Sequence, residues 1–156
     1  MIDGEGILVA EDSEDDRFFL KRAMVKAGLI ERTTFVSNGR ELIRCLSTRI
    51  SDVPPSEGSL PKLILLDLVM PGLTGLSALE WIKRQNELRE IPVVVFTGTE
   101  NPIYLTRAVA LGVARCCAKD PDPSKWVDMV RDLAEKFGLH TASGGQEARV
   151  GDLLAA

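Results

Sequence analysis

Five polar residues of this sequence are placed where distant parts of the chain could assemble one site. Asp67 is the most unusual of them, because it stands between the apolar runs LILL and LVM, where an uncompensated charge is costly. The others also follow apolar runs: they are the adjacent pair Glu11 and Asp12, then Thr97 and Lys119. Crowded carboxylates repel one another, so three of them in one place require a cation.

Taken singly, four of these residues have ordinary explanations. An acidic pair after a strand is often a solvated turn or a helix cap, a threonine is a common strand residue, and a lysine is a common surface residue. A lone acid inside an apolar run has no such explanation unless its charge is compensated. We therefore interpret the five residues together, with Asp67 at their centre.

Mg²⁺ is the cation that suits such an acidic group. It prefers hard oxygen ligands, keeps several waters and commonly binds through one or two carboxylates plus a phosphate. We expect Asp12 and Asp67 to be direct ligands. In formal charges, Glu11, Asp12 and Asp67 supply −3 and Mg²⁺ with Lys119 supplies +3, which leaves the resting site near neutral.

The elements that must position these residues are five short apolar runs, each followed by a helical pattern. Continuous apolar runs, as opposed to alternating ones, are typical of strands buried on both faces of a parallel sheet. The sequence therefore predicts a doubly wound α/β domain, in which ligands bind outside the carboxyl ends of the strands. The predicted strands are GILVA (6–10), TTFV (33–36), KLILL (62–66), PVVVF (92–96) and VARCCA (113–118).

Capping residues mark where several helices should begin or end. Trp126 and Phe137 belong to one apolar helical face, which indicates core packing, and Gly138 follows as a C-terminal cap. Three helix starts are indicated by a capping pair or by a cap residue before proline: Ser13 with Asp16, Asn101 with Pro102, and Asp122 with Pro123.

The length of 156 residues suits one domain and is too short for two. We expect this domain to span 1–138, with an inserted surface loop at 51–61 that is rich in Pro, Ser and Gly. Residues 139–156 lose the helical period and should form a flexible C-terminal tail, in which His140 is exposed to solvent.

The composition disfavours several classes of protein. Hydrophobic residues make up 45% and charged residues 27%, as in an ordinary globular domain, and a formal charge of −4 without any Lys/Arg-rich run disfavours nucleic-acid binding. The start lacks a signal-peptide pattern and the apolar runs are too short to cross a bilayer, so a cytoplasmic protein without membrane contact is expected. The three cysteines form no C-x-x-C motif and are expected to be reduced core residues.

The motifs, in this order, resemble the receiver domain of two-component response regulators, which is CheY-like. The likeness covers about Gly6 to Phe137 and rests on ILVAEDSEDD, LILLDLVMPGLTG, VVVFTG and the strand-end lysine of CCAKD. It implies a flavodoxin-like fold with five parallel strands in the order 2-1-3-4-5 and five helices. The insert at 51–61 and the phrase NGRELIRCL further resemble the stand-alone regulators that pair with phytochrome-type histidine kinases.

The resemblance also implies roles for the acidic residues. Asp67 would be the phosphoacceptor, attacking the phosphorus of a phosphohistidine on a partner kinase. Mg²⁺ would bind Asp12, Asp67 and the main-chain carbonyl of Val69, with Glu11 acting through water. Phosphorylation would leave the site with a charge of about −1.

Lys119 and Thr97 would each contact a phosphoryl oxygen. Movement of the Thr97 hydroxyl would link the chemistry to the surface of the fourth helix and fifth strand, and the output would be contact with a downstream protein of unknown identity. The resemblance implies a switch and not an enzyme. Homodimerisation through the fourth and fifth helices is a habit of the family, so a homodimer stays open.

Two positions depart from the family pattern. The family usually carries an aromatic switch residue three positions before the site lysine, and Cys116 stands there, which predicts a muted or altered output. The family also favours proline directly after the lysine, whereas Asp120 follows Lys119 here. An attraction between Asp120 and Lys119 would loosen the pocket.

Two alternatives remain open at this stage. A degenerate receiver that binds partners without phosphorylation is favoured by Cys116 and Asp120 and disfavoured by the intact acidic group. An aspartyl-phosphate hydrolase also places a nucleophilic Asp after a parallel strand, but it usually follows that residue with D-x-D, and Asp67 is followed by Leu68 and Val69.

Overall fold

The computed structural model describes residues 6–51 and 60–139. Most of the predicted insert at 51–61, and the predicted tail from His140 onward, lie outside the described residues. The strands are β1 (Ile7–Ala10), β2 (Thr33–Val36), β3 (Leu63–Leu66), β4 (Val93–Thr97) and β5 (Arg115–Ala118). The helices are α1 (Glu14–Lys26), α2 (Gly39–Ser51), α3 (Gly75–Arg84), α4 (Pro102–Ala110) and α5 (Trp126–Lys136), with short 3₁₀ turns at Ile30–Arg32 and Pro123–Lys125.

The strands form one parallel sheet in the order β2-β1-β3-β4-β5. This order and the five helices confirm the predicted flavodoxin-like fold, and each strand lies within two residues of its predicted bounds. The chain moves from β1 outward to β2 and then back across to β3, so the strand order reverses beside β1. In such sheets, ligands bind outside the carboxyl ends of the strands at this reversal.

Helices cover the sheet on both faces, and successive residues of the central strands are divided between them. Leu8 and Ala10 of β1 face one core, while Ile7 and Val9 face the other. The first core receives α2, α3 and α4 through Leu42, Leu46, Ala78, Leu79, Ile82 and Ala108. The second receives α1 and α5 through Leu20, Ala23, Met24, Trp126, Val130 and Leu133.

Capping occurs where the sequence predicts it, with one difference at the last helix. Ser13 Oγ accepts from Asp16 N at 3.2 Å, and Asn101 Oδ1 accepts from Ile103 N at 3.0 Å. Asp122, in contrast, caps a 3₁₀ turn, and α5 begins only at Trp126. The cap therefore marks the start of the helical segment and not of the α-helix itself.

The expectation of strands buried on both faces is wrong for the two edge strands. In β5, Arg115, Cys116 and Ala118 are exposed, and β2 is only half-buried apart from Val36. The neighbouring helix α4 is likewise exposed at Ile103. The expectation of core cysteines is wrong for Cys116, which is exposed on β5, whereas the half-buried Cys45 and Cys117 each pack against one of the two cores.

No helix within 6–51 and 60–139 combines the length and the apolar composition that crossing a membrane requires.

Candidate functional site

The five polar residues singled out in the sequence all lie at the carboxyl edge of the sheet. Glu11 and Asp12 follow β1, Asp67 follows β3, Thr97 ends β4 and Lys119 follows β5. Glu11, Asp67 and Thr97 are buried, the only polar or charged residues of the described chain in that class. Because all strands run in one direction, their carboxyl ends lie at the same edge of the sheet. The predicted position of the five residues at this edge is therefore confirmed.

Main-chain hydrogen bonds extend each strand one residue further and so fix where these side chains start. Asp67 N donates to Ala10 O at 3.1 Å, and Lys119 N donates to Thr97 O at 3.0 Å. Glu11 N donates at 3.0 Å to the carbonyl of the last residue of β2. The site is therefore positioned by the sheet and not by the loops alone.

Asp67 is held by contacts on both of its carboxylate oxygens. Oδ1 accepts from Val69 N at 3.2 Å, and Oδ2 accepts from Lys119 Nζ at 3.0 Å. Its side chain is 7% exposed, so a narrow opening to solvent remains. A buried carboxylate of this kind is costly unless it is paired, and both partners supply that pairing.

Glu11, Asp12 and Asp67 form an acidic cluster in which one oxygen of each lies within 4.8 Å of the others. Glu11 Oε2 accepts from Ser13 N at 3.1 Å, and the buried Oε1 lies 2.8 Å from Lys119 Nζ. Three carboxylates this close together carry more negative charge than one ammonium can balance, which suits a hard divalent cation. The donor set therefore fits Mg²⁺.

The electrostatics of Glu11 also favour a cation here. The pKa of Glu11 is raised to about 7: burial is the largest cause, contact with Lys119 opposes the rise, and the neighbouring charge of Asp67 adds to it. Glu11 thus retains a proton unusually far up the pH scale. Binding of a divalent cation would displace that proton.

Lys119 makes ion pairs with three carboxylates. Nζ lies 2.7 Å from Asp16 Oδ2, 2.8 Å from Glu11 Oε1 and 3.0 Å from Asp67 Oδ2. Burial alone would lower the pKa of Lys119, but the hydrogen bonds to these acids hold it above its usual range. The ammonium is therefore a permanent cation of the site.

Two contributing residues, Asp16 and Arg17, were missed as site residues by the sequence reasoning. Both lie on the first turn of α1, and Asp16 was interpreted only as part of a capping pair. Arg17 Nη1 donates to the carbonyls of Glu11 at 2.8 Å and Asp12 at 2.9 Å. The signal that could have found them is the run SEDDR, since a helix beginning directly after the acidic pair places its first turn beside that pair.

Three further residues considered in the sequence analysis differ in their exposure to solvent. Thr97 is 2% exposed, and its Oγ1 accepts from Thr99 N at 3.3 Å. Val69 is half exposed, and metal binding by its carbonyl stays a prediction. Cys116 is exposed on β5, where it pairs in register with Val95.

Asp120 is engaged away from the pocket. Its Oδ1 accepts from Asp122 N at 2.9 Å, and its main-chain oxygen accepts from Trp126 Nε1 at 2.9 Å. Lys119 contacts other acids instead. The predicted attraction between Asp120 and Lys119 is not part of this arrangement.

Comparison with known proteins gives the same family along most of the chain. The sequence profile of the response regulator receiver domain matches residues 7–131. A probable methanogenesis regulatory protein, FilR2 of Methanothrix harundinacea, is 32% identical over 132 residues, which cover 83% of this chain and 79% of that protein.

Solved structures agree with the sequence match. The phosphorylated cyanobacterial phytochrome response regulator RcpA is 27% identical with a TM-score of 0.73, over 89% of this chain and 96% of that one. The Mn²⁺-bound form of response regulator Rcp1 is 28% identical with a TM-score of 0.71, over 89% and 97%. The chain described here belongs to the response regulator receiver domain family of two-component signalling.

Proposed function

We propose that this receiver domain accepts a phosphoryl group on Asp67 from a histidine kinase, with Mg²⁺ bound at the acidic cluster, and thereby switches its contacts with a downstream protein. The observation that carries the proposal is the Asp67 carboxylate, buried at the carboxyl edge of β3 and joined to both Lys119 and the acidic pair. Burial of so many charges in one place is costly without a function that uses them.

The residues that would hold Mg²⁺ are Asp12, Asp67 and the Val69 carbonyl, with Glu11 acting through water. When bound, the ion would neutralise negative charge on the phosphoryl oxygens and orient them. The Asp67 carboxylate attacks the phosphorus of a phosphohistidine, the P–O bond forms, the P–N bond breaks, and the departing imidazole takes up a proton.

Lys119 stabilises the charge that this transfer brings into the site. Its ammonium already contacts the attacking carboxylate at 3.0 Å, so it can follow a phosphoryl oxygen without a large displacement. Thr97 would donate its hydroxyl to a second phosphoryl oxygen. Because Thr97 begins the segment that leads into α4, its reorientation would carry the change to that helix.

The identity of the phosphodonor is part of the proposal. RcpA is described as a phytochrome response regulator, and its structure covers 89% of this chain. That likeness supports a phytochrome-type histidine kinase as the partner. A regulatory role without enzymatic turnover accords with the family, and the side chain two residues after Asp67 is an exposed valine in place of a second acid.

Intact-mass measurement after incubation with Mg²⁺ and acetyl phosphate tests the proposal. One phosphoryl adduct on the wild type, absent in Asp67→Asn and absent when EDTA replaces Mg²⁺, is the expected result. A wild type without any adduct would overturn the proposal in favour of an interaction module that works without phosphorylation. Rapid multiple turnover of acetyl phosphate would favour a hydrolase.

A further inference from the structure

The Lys119 ammonium is held from a second side by an acid outside the strand-end set. Its shortest carboxylate contact, 2.7 Å, is with Asp16, against 2.8 Å to Glu11 and 3.0 Å to Asp67. An ammonium has three N–H donors, and three acids surround this one. A phosphoryl oxygen that binds Lys119 must therefore displace or share one of these contacts.

Asp16 is fixed by a helix and not by the loops of the site. It is the third residue of α1, and its N–H donates to the cap residue Ser13 at 3.2 Å. The positive end of the helix dipole favours a negative charge at this position. The main chain of Asp16 is thus anchored on one side of Lys119, and its short side chain keeps the carboxylate on the α1 side of the ammonium.

We infer that Asp16 is a positioning residue that holds Lys119 on the α1 side of the site and weakens its support of phosphorylated Asp67. The inference rests on the proposed function. Asp16 and Asp67 contact the same nitrogen, so their oxygens lie less than about 6 Å apart, a range over which like charges repel appreciably. Phosphorylation changes the charge on Asp67 from −1 to about −2, which increases that repulsion.

Asp16 therefore favours the unphosphorylated protein in two ways. It competes with the phosphoryl oxygens for the donors of Lys119, and it repels the charge that they bring. Both effects depend on the carboxylate and disappear when a neutral amide of the same shape replaces it. The contact between the Asp16 carboxylate and Lys119 would therefore reduce how readily Asp67 accepts the phosphoryl group and how long it keeps it.

Binding of beryllium trifluoride, a mimic of the phosphoryl group, in the presence of Mg²⁺ tests the inference on the full chain. Asp16→Asn should bind the mimic about tenfold more tightly than the wild type, because it frees a donor of Lys119 for the mimic and removes one nearby like charge. Asp15→Asn is the matched control, since it removes the same charge from the same helical turn but its side chain is exposed. We expect Asp15→Asn to bind within about twofold of the wild type.

A double-mutant cycle separates action through Lys119 from general repulsion. In a Lys119→Gln background, the gain from Asp16→Asn should shrink to less than half. The inference would be overturned if Asp16→Asn gave the same gain in affinity in the Lys119→Gln background. It would also be overturned if Asp16→Asn, with Lys119 intact, bound beryllium trifluoride no more tightly than the wild type. A merely structural role for Asp16 would not produce this dependence on Lys119.

A second readout requires neither Mg²⁺ nor the phosphoryl mimic. In the metal-free protein, Asp16→Asn should shift the ε-methylene resonances of Lys119, and Asp15→Asn should leave them in place. Unchanged resonances in Asp16→Asn would overturn the contact itself. If the wild type is phosphorylated on Asp67 but Asp16→Asn binds the mimic no more tightly than the wild type, only this inference fails. If the wild type is not phosphorylated at all, both the proposed function and this inference fail.

Discussion

A Cβ atom placed on Gly75 would lie 2.0 Å from the main-chain oxygen of Asp67. Gly75 is the first residue of α3, and its N–H donates to Leu68 O at 3.1 Å. The start of this helix and the loop that carries Asp67 are therefore in direct main-chain contact. Only glycine allows that approach, since the obstructing atoms belong to the main chain and not to a flexible side chain.

Gly75→Ala should displace the Asp67 loop and destabilise the fold. Overpacking of a tight contact costs about 1–3 kcal/mol, and main-chain neighbours that cannot yield place this one at the upper end. Urea denaturation measures the change in the free energy of unfolding. Gly98→Ala is the control, because its nearest neighbour would be a Lys119 side-chain carbon at 3.9 Å. Equal stability of the two variants would contradict the prediction.

Arg17→Ala should destabilise the protein through the carbonyls of Glu11 and Asp12. One nitrogen of Arg17 donates to both, and hydrogen bonds to a charged group contribute about 1.5–3 kcal/mol each. We expect a loss of about 2 kcal/mol in the free energy of unfolding, because water can replace part of these contacts. Arg22→Ala removes an exposed arginine from the same helix and should cost under about 0.5 kcal/mol. A similar loss in both variants would count against the role of Arg17.

Glu11 should make the stability of the metal-free protein fall as pH rises. Because its pKa is raised from 4.5 to about 7, the folded state binds more protons than the unfolded state between these values. The stability contributed by protonated Glu11 is complete below pH 4.5, declines above that value and is lost as pH rises through 7. At 1.36 kcal/mol per pKa unit, the loss is up to about 3 kcal/mol.

Urea denaturation in EDTA at several pH values, on the wild type and on Glu11→Gln, measures this effect. The amide resembles the protonated acid, so the variant should lack the fall and become the more stable protein near pH 8. Parallel pH profiles for the two proteins would show the prediction to be wrong. Mg²⁺ requires the charged carboxylate, so its affinity for the wild type should rise over the same pH interval.

Cys116 should limit how strongly the site communicates with α4. It is exposed on β5 and has no ring that could move when Thr97 reorients. On addition of Mg²⁺ and a phosphoryl mimic, the amide resonances of 102–110 should shift little in the wild type and clearly more in Cys116→Tyr. Equally large shifts of α4 in both proteins would contradict the muted output.

The strands and the site residues at their ends were predictable because each depends on a local pattern. Short apolar runs identify the buried strands, and parallel direction brings their carboxyl ends together. The exposure of β5 was not predictable in this way. Its run VARCCA contains one charge, Arg115, among five apolar residues, and whether a helix covers such an edge strand depends on the tertiary packing of α4.

Asp16 and Arg17 were missed because a strand-end rule cannot indicate which side chains reach back from a following helix. The charge balance was nevertheless right. One added acid and one added base cancel, so four carboxylates and two cations leave −2, as the original three acids and Lys119 do. A divalent cation neutralises either set, which is why the prediction of Mg²⁺ did not depend on finding them.

The central strands are apolar on both faces, and this has a consequence for how the chain finds its alignment. If β1 slipped by one residue against its neighbours, Ile, Leu and Val would still be buried, so hydrophobic burial discriminates poorly between the two alignments. The slip would, however, draw Glu11 into the sheet interior, where its charge finds no partner. The acids that follow the strands therefore favour one register of the sheet. Replacing them with apolar residues would remove this preference as well as the site.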